Sequence, residues 1–170
     1  MRGDGPDAER TRFVCVRRYC SRVFTLAQLE QAIRESWSLD TADKVDGWTP
    51  ENPSRGQCDI TTLVVHDLVG GEVLGADVYL DGERIEGHMW NRLESGIDVD
   101  LTRDQFRRGE VIGEPRVAQR TPAIADPAHP RYHRYEAYLV LRDRVGARLG
   151  LPQARGSTPS ALAAQEETRP

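Results

Sequence analysis

Gly56-Gln57-Cys58-Asp59-Ile60-Thr61-Thr62-Leu63-Val64-Val65-His66-Asp67-Leu68-Val69-Gly70-Gly71 is an apolar run enclosed by turn residues. Its β-branched content suits a buried strand. Against that, Ile60, Leu63, Val64, Asp67 and Leu68 follow helical spacing, and a double glycine is a helix stop signal. A buried helix is therefore expected up to Val69, with Cys58 on its first turn. Directly after it the period changes. Val73 to Leu80, Arg84 to Leu93 and Ile97 to Leu101 are short segments separated by Asp81-Gly82 and Glu94-Ser95-Gly96, the pattern of an antiparallel β-meander. A helix followed by a meander places the chain in the α+β class.

Working outward, Thr102 and Gln105 have capping-box spacing, which predicts a short helix containing Phe106. Arg107 to Pro130 carries Pro115, Pro122, Pro127 and Pro130 and reads as a wrapping loop. A last helix is expected from Arg131 to Leu149, ended by Gly150 and Pro152. Upstream, Thr25 and Gln28 repeat the capping box and start a helix at Leu26, whose Leu26, Leu29, Ile33 and Trp37 make one apolar face. Thr41 to Arg55, with Gly47, Pro50, Asn52, Pro53 and Ser54, has no period and reads as a loop. Residues 1–11 and 152–170 are polar and aperiodic, so disordered tails are expected on either side of a single domain over 12–151.

At 170 residues the chain suits one domain. Hydrophobic residues make up 38% and charged residues 29%, which excludes collagen, coiled coil and wholesale disorder. A net charge of -4 supplies no global basic field for nucleic acid. Lys44 is the one lysine among the 23 basic residues, an arginine bias that points to no partner. No run approaches the roughly 20 apolar residues of a membrane helix, and Met1 to Arg10 lacks the apolar centre of a signal peptide. The expectation is a cytoplasmic protein with no membrane or nucleic-acid partner. Cys15, Cys20 and Cys58 are too few and too unevenly spaced for a disulfide framework, so reduced thiols are expected.

Cys58 at a helix start has a physical reason to react. Free backbone N–H groups and the positive end of the helix dipole favour a thiolate, and the same groups can hold an oxyanion. Gly56 leaves space for a substrate. His88, Trp90 and Arg92 share one face of the second strand. If Leu93 pairs with Ile97 across a three-residue turn, Trp90 comes opposite Asp100, and His88 lies one diagonal step away on the same face. Asp98 then faces Arg92 and forms an ion pair. A two-residue turn would instead put Asp100 on the other face. Cys58, His88 and Asp100 together satisfy the logic of a nucleophile, its base and the group that orients the base. Taken singly, Cys58 also fits a small core residue, His88 a satisfied core histidine and Asp100 the flank of the Thr102 helix.

Gly56-Gln57-Cys58 at a helix start, His88 with Trp90 two residues on, and Asp100-Leu101-Thr102 resemble the signatures of the transglutaminase-like branch of the papain-like cysteine enzymes. A closer resemblance is to the small bacterial YunG-like proteins. It is carried by Glu35-Ser36-Trp37-Ser38, Thr49-Pro50, Pro53-Ser54, Gly56-Gln57-Cys58, Thr61 to Val65 with Asp67, Gly70-Gly71-Glu72, His88, Asn91-Arg92, and Asp100-Leu101-Thr102 with Gln105-Phe106. The resemblance implies a papain-like α+β fold and a thiol active site, and no particular substrate. Asp59 follows Cys58 where larger transglutaminase-like enzymes carry a tryptophan, which leaves Gln57 or the loop residue Trp48 to complete an oxyanion site. Trp90 and Asn91 are the remaining candidates for substrate contact.

The function expected from this constellation is thiol-dependent acyl transfer from a small-molecule or peptide donor, to water or to an amine, without a cofactor. The rival from another class is a non-catalytic binding module in which Cys58 is buried and Trp37, Trp48 and Trp90 form a recognition surface. A metal site is not expected. Cys15 and Cys20 lack a second ligand pair at zinc spacing, His66 and His88 lie on different elements, and His129 and His133 straddle Pro130. Gly70-Gly71 sits in no phosphate-binding glycine pattern.

Overall fold

The computed structural model describes residues 12–14, 23–43, 47–119 and 122–152. The expected tails, together with Cys15 and Cys20, lie outside the described residues, apart from Pro152. Among the described residues three α-helices pack together, and the second of them lies on a curled antiparallel sheet. A hairpin of β1 (Arg12–Val14) and β2 (Val23–Thr25) leads into helix α1 (Leu26–Arg34). The capping box forms as expected: the Thr25 hydroxyl accepts from the Gln28 backbone N–H at 3.2 Å, and Gln28 Oε1 accepts from the Thr25 N–H at 2.9 Å. Trp37 lies past the end of α1 but stays in the core, where its indole N–H donates to Thr61 Oγ1 at 2.9 Å.

Helix α2 (Cys58–Val69) starts at the cysteine and ends at Gly70, whose φ of +78° favours glycine. At Gly71 the requirement is steric as well. A Cβ there would lie 2.2 Å from the Arg92 carbonyl oxygen, so the chain can pass from α2 into the sheet only with no side chain at this point. Strand β3 (Glu72–Leu80) then pairs with β4 (Glu83–Arg92) along its whole length, with a register shift between Val78 and Tyr79. Leu93 N–H donates to the Ile97 carbonyl at 2.9 Å, which makes the second turn the three-residue one. Strand β5 (Asp98–Val99) accordingly sets Asn91 opposite Val99 and Arg92 opposite Asp98. Arg92 and Asp98 form the expected ion pair, at 2.6 Å.

The two faces of β4 have different surroundings. On one, the Asn91 side-chain amide donates to the Thr62 carbonyl of α2 at 3.0 Å, fixing helix to sheet. The main core lies among the helices, where Leu29 and Ile33 of α1 and Val64 and Val65 of α2 meet Leu141 and Val145 of α3 (Tyr132–Leu149). Each such side chain contributes about 1.5–3 kcal/mol by leaving water. On the other face Trp90 packs with Leu74, Ala76 and Ile112.

Two local expectations fail. The expected wrapping loop contains β6 (Val111–Ile112) and β7 (Arg116–Val117), both paired with β3, and a 3-10 turn at Pro122–Ala125. These strands are two residues long, too short to leave a period in the sequence. The segment after Thr102 is a 3-10 turn, Arg103–Gln105, which stops before Phe106 and has no side-chain cap. Its capping residues are engaged elsewhere. Thr102 Oγ1 bonds Asp100 at 3.3 Å, and Gln105 turns to His88. Among the described residues no helix is long and apolar enough to cross a membrane.

Candidate active site

Residues 47–57 bring the chain to the start of α2. Asn52 ties this segment to the far side of the site, its amide donating to the Gln105 carbonyl at 2.9 Å. Arg55, nearly buried, bridges Glu86 at 2.9 Å and Glu110 at 3.2 Å. Gly56, at a φ of +71°, turns the chain into the helix. Cys58 is partly buried and lines a cavity of about 670 Å³, whose wall also includes Gly56, Asp59, Gly87, His88 and Met89. The N–H groups of a helix's first turn point out of its N-terminal end, the end at which Cys58 stands.

His88 is held on four sides. Its Nε2 lies 2.7 Å from Asp100 Oδ2, and its Nδ1 lies 3.1 Å from the Gln105 amide nitrogen. An amide nitrogen only donates, so Nδ1 accepts and the proton sits on Nε2, donated to Asp100. The ring stacks on Trp90 at a centroid distance of 5.5 Å and stands perpendicular to Phe106 at 4.7 Å. Its side chain has no exposure to solvent. Asp100 in turn accepts from the Thr102 backbone N–H at 3.2 Å.

The structure thus joins His88 to Asp100 and sets Cys58 and His88 on the wall of one cavity. It uses the other named residues differently. Gln57 is fully buried, with its amide nitrogen donating to the Ser38 carbonyl at 3.1 Å and its Oε1 without a hydrogen-bond partner among the described residues, so the side chain presents an acceptor rather than an oxyanion donor. Trp48 donates from its indole to the Pro53 carbonyl at 2.9 Å and stiffens its own loop, and it is not among the residues lining the cavity. The Trp90 indole donates to Asp98 at 3.2 Å. Asn91 is engaged with α2 as described.

Two residues at the site were not singled out as site residues from the sequence. One is Gln105. The other is Arg134 of α3, the largest fully buried side chain. Its guanidinium grips Asp59 at 2.5 and 3.0 Å, the Gly56 carbonyl at 3.1 Å and the Thr41 carbonyl at 3.0 Å, so it holds the chain on both sides of Cys58. Burial works against its charge, but the bonds and charge of Asp59, with Asp43 and Cys58 adding to them, hold its pKa above the ordinary arginine value. The signal available for Arg134 was an arginine on the helix face carrying Tyr138 and Leu141. Among the described residues no group of three or more His, Cys, Asp or Glu side chains is arranged to hold a metal ion.

A family model described as YunG protein matches residues 25–150, most of the chain and all of the elements around the cavity. The chain belongs to the YunG family. It is also 32% identical over 82 residues to an uncharacterised YunG protein of Bacillus subtilis (strain 168), an alignment covering 48% of this chain and 64% of that relative. The chain therefore spans somewhat under two thirds of the relative's length. No solved structure matches.

Proposed function

We propose that this YunG-family domain is a thiol-dependent acyl-transfer enzyme on a papain-like scaffold, with Cys58 as nucleophile, His88 as base and then acid, and Asp100 orienting His88. The observation that carries the reading is the 2.7 Å contact between His88 Nε2 and Asp100 Oδ2, made by a residue that lines the same cavity as a cysteine at a helix N-terminus. Asp100 fixes the tautomer that leaves Nδ1 as the basic nitrogen. The thiol proton passes to Nδ1, Sγ bonds the carbonyl carbon of an amide or thioester, and the C–N or C–S bond breaks as the leaving group takes that proton. Water or an amine then releases the acyl group. The positive end of the α2 dipole favours a thiolate at Cys58 and an oxyanion beside it. Because the Gln105 amide occupies Nδ1, base action requires that side chain to turn away first.

That same feature favours a second reading. A ring without solvent exposure and with both nitrogens engaged also suits a binding module whose His88 is purely structural. Iodoacetamide labelling near neutral pH, read at the Cys58 peptide by mass spectrometry, separates the two. Acyl-transfer chemistry requires labelling faster than free cysteine and a sharp slowing in His88→Ala. A thiol that stays unlabelled until the protein unfolds refutes it.

A further inference from the structure

A second cavity, of about 430 Å³, opens beside the first between α2 and α3. Asp59, Met89 and Arg131 line both. The direction is set by α2 itself: Cys58 lines the first cavity, Asp59 both, and Ile60 and Leu63 the second. Apart from these shared residues the wall is mainly apolar and aromatic, with Ile60, Leu63, Ile124, Tyr135 and Tyr138 beside Gln119 and Arg134. The charges common to the two cavities already satisfy one another. Asp59 takes two bonds from Arg134 and one from Arg131 at 3.4 Å, and Arg131 also holds Asp43 at 3.0 Å. A neutral group can lie against these residues without displacing a charge, whereas an ionised one meets no free counterion there. The opposite end of the first cavity is polar, where Asp77 pairs with Arg84 at 2.7 Å and Arg116 at 3.4 Å.

We propose that the groove between α2 and α3 is the acyl subsite, and that the substrates are acyl donors with an uncharged apolar arm, aliphatic or aromatic, next to the carbonyl and a polar leaving group. The inference rests on the acyl-transfer reading of Cys58. The apolar arm lies against Leu63 and Tyr135 while the carbonyl stands at Cys58, and the leaving portion extends toward Arg84 and Arg116. Apolar lining with a few convergent polar groups is the usual composition of a small-molecule site.

The test is a ratio of alkylation rates at Cys58 in the full-length protein, N-hexyl-iodoacetamide against iodoacetamide, divided by the same ratio for free cysteine. Sulfur displaces iodide in both reactions, so the ratio reports the groove and not the chemistry. A ratio of ten or more is expected, and Leu63→Asn brings it toward one. Leu63→Ala serves as a second, apolar variant with a smaller effect in the same direction should the asparagine variant not fold. A wild-type ratio near one, with Cys58 labelling quickly, overturns the groove and leaves the acyl-transfer reading standing. A Cys58 that neither reagent labels until unfolding overturns both.

Discussion

Replacing Arg134 by methionine removes the buried side chain that ties the chain before Cys58, the first turn of α2 and helix α3 together. The guanidinium is 1% exposed and makes two bonds to Asp59 and one each to the Gly56 and Thr41 carbonyls. Breaking a buried ion pair from one side costs about 3–5 kcal/mol, because the remaining charge is left without compensation. Asp59 is 23% exposed and keeps a longer contact with Arg131, which moves the expected loss to the lower end, about 3 kcal/mol. For a domain of this size that lowers Tm by roughly 10 °C. Asp59→Leu alone leaves Arg134 as the uncompensated charge and costs a similar amount. The Arg134→Met, Asp59→Leu double variant loses both charges and recovers much of the deficit, since removing both partners of a buried pair is far cheaper than removing one. Urea unfolding followed by circular dichroism measures all four corners of the cycle. Additive losses, or an Arg134→Met variant within 1 kcal/mol of wild type, refute the clamp.

Gln105→Ala bears on the proposed role of His88 as base rather than on the fold. Displacing a hydrogen bond worth about 0.5–1.5 kcal/mol must precede proton uptake at Nδ1, so removing the amide raises the rate of iodoacetamide labelling at Cys58 roughly twofold to tenfold. Slowing of the kind expected for His88→Ala would make Gln105 a support for the ring instead. Acid stability follows from Asp40, whose pKa is lowered below 3.8 by bonds from Arg144 and Ser38, and from Asp98, lowered by Arg92 and Trp90. The folded state binds fewer protons at these groups than the unfolded state, so their contribution is present above about pH 4 and is lost as pH falls through the lowered values. Thermal unfolding between pH 2 and 7 should show that loss confined to the acid end, and Asp40→Asn should reduce it.

How much of this was legible in the sequence depends on whether the signal was local. The capping box at Thr25 and Gln28, the glycine stop at Gly70 and the Asp81-Gly82 turn act over a few residues, and all three elements form where the sequence puts them. The turn at Glu94-Ser95-Gly96 did more. Strand side chains alternate with a period of two, so its length alone decided the faces, and His88 meets Asp100 because the turn has three residues. The capping-box spacing of Thr102 and Gln105 misled because it is identical whether the side chains close a helix or serve a distant partner. Here Asp100 and His88 compete for the same groups and win, and the backbone settles into a 3-10 turn. Arg134 was invisible for a related reason. Its partners are 75, 78 and 93 residues away, and no spacing rule reaches that far. The site therefore divides by the range of its interactions: His88 and Asp100, joined across adjacent strands, could be paired on paper, whereas Gln105 and Arg134, which engage His88 and the chain around Cys58, belong to contacts that only the packed fold creates.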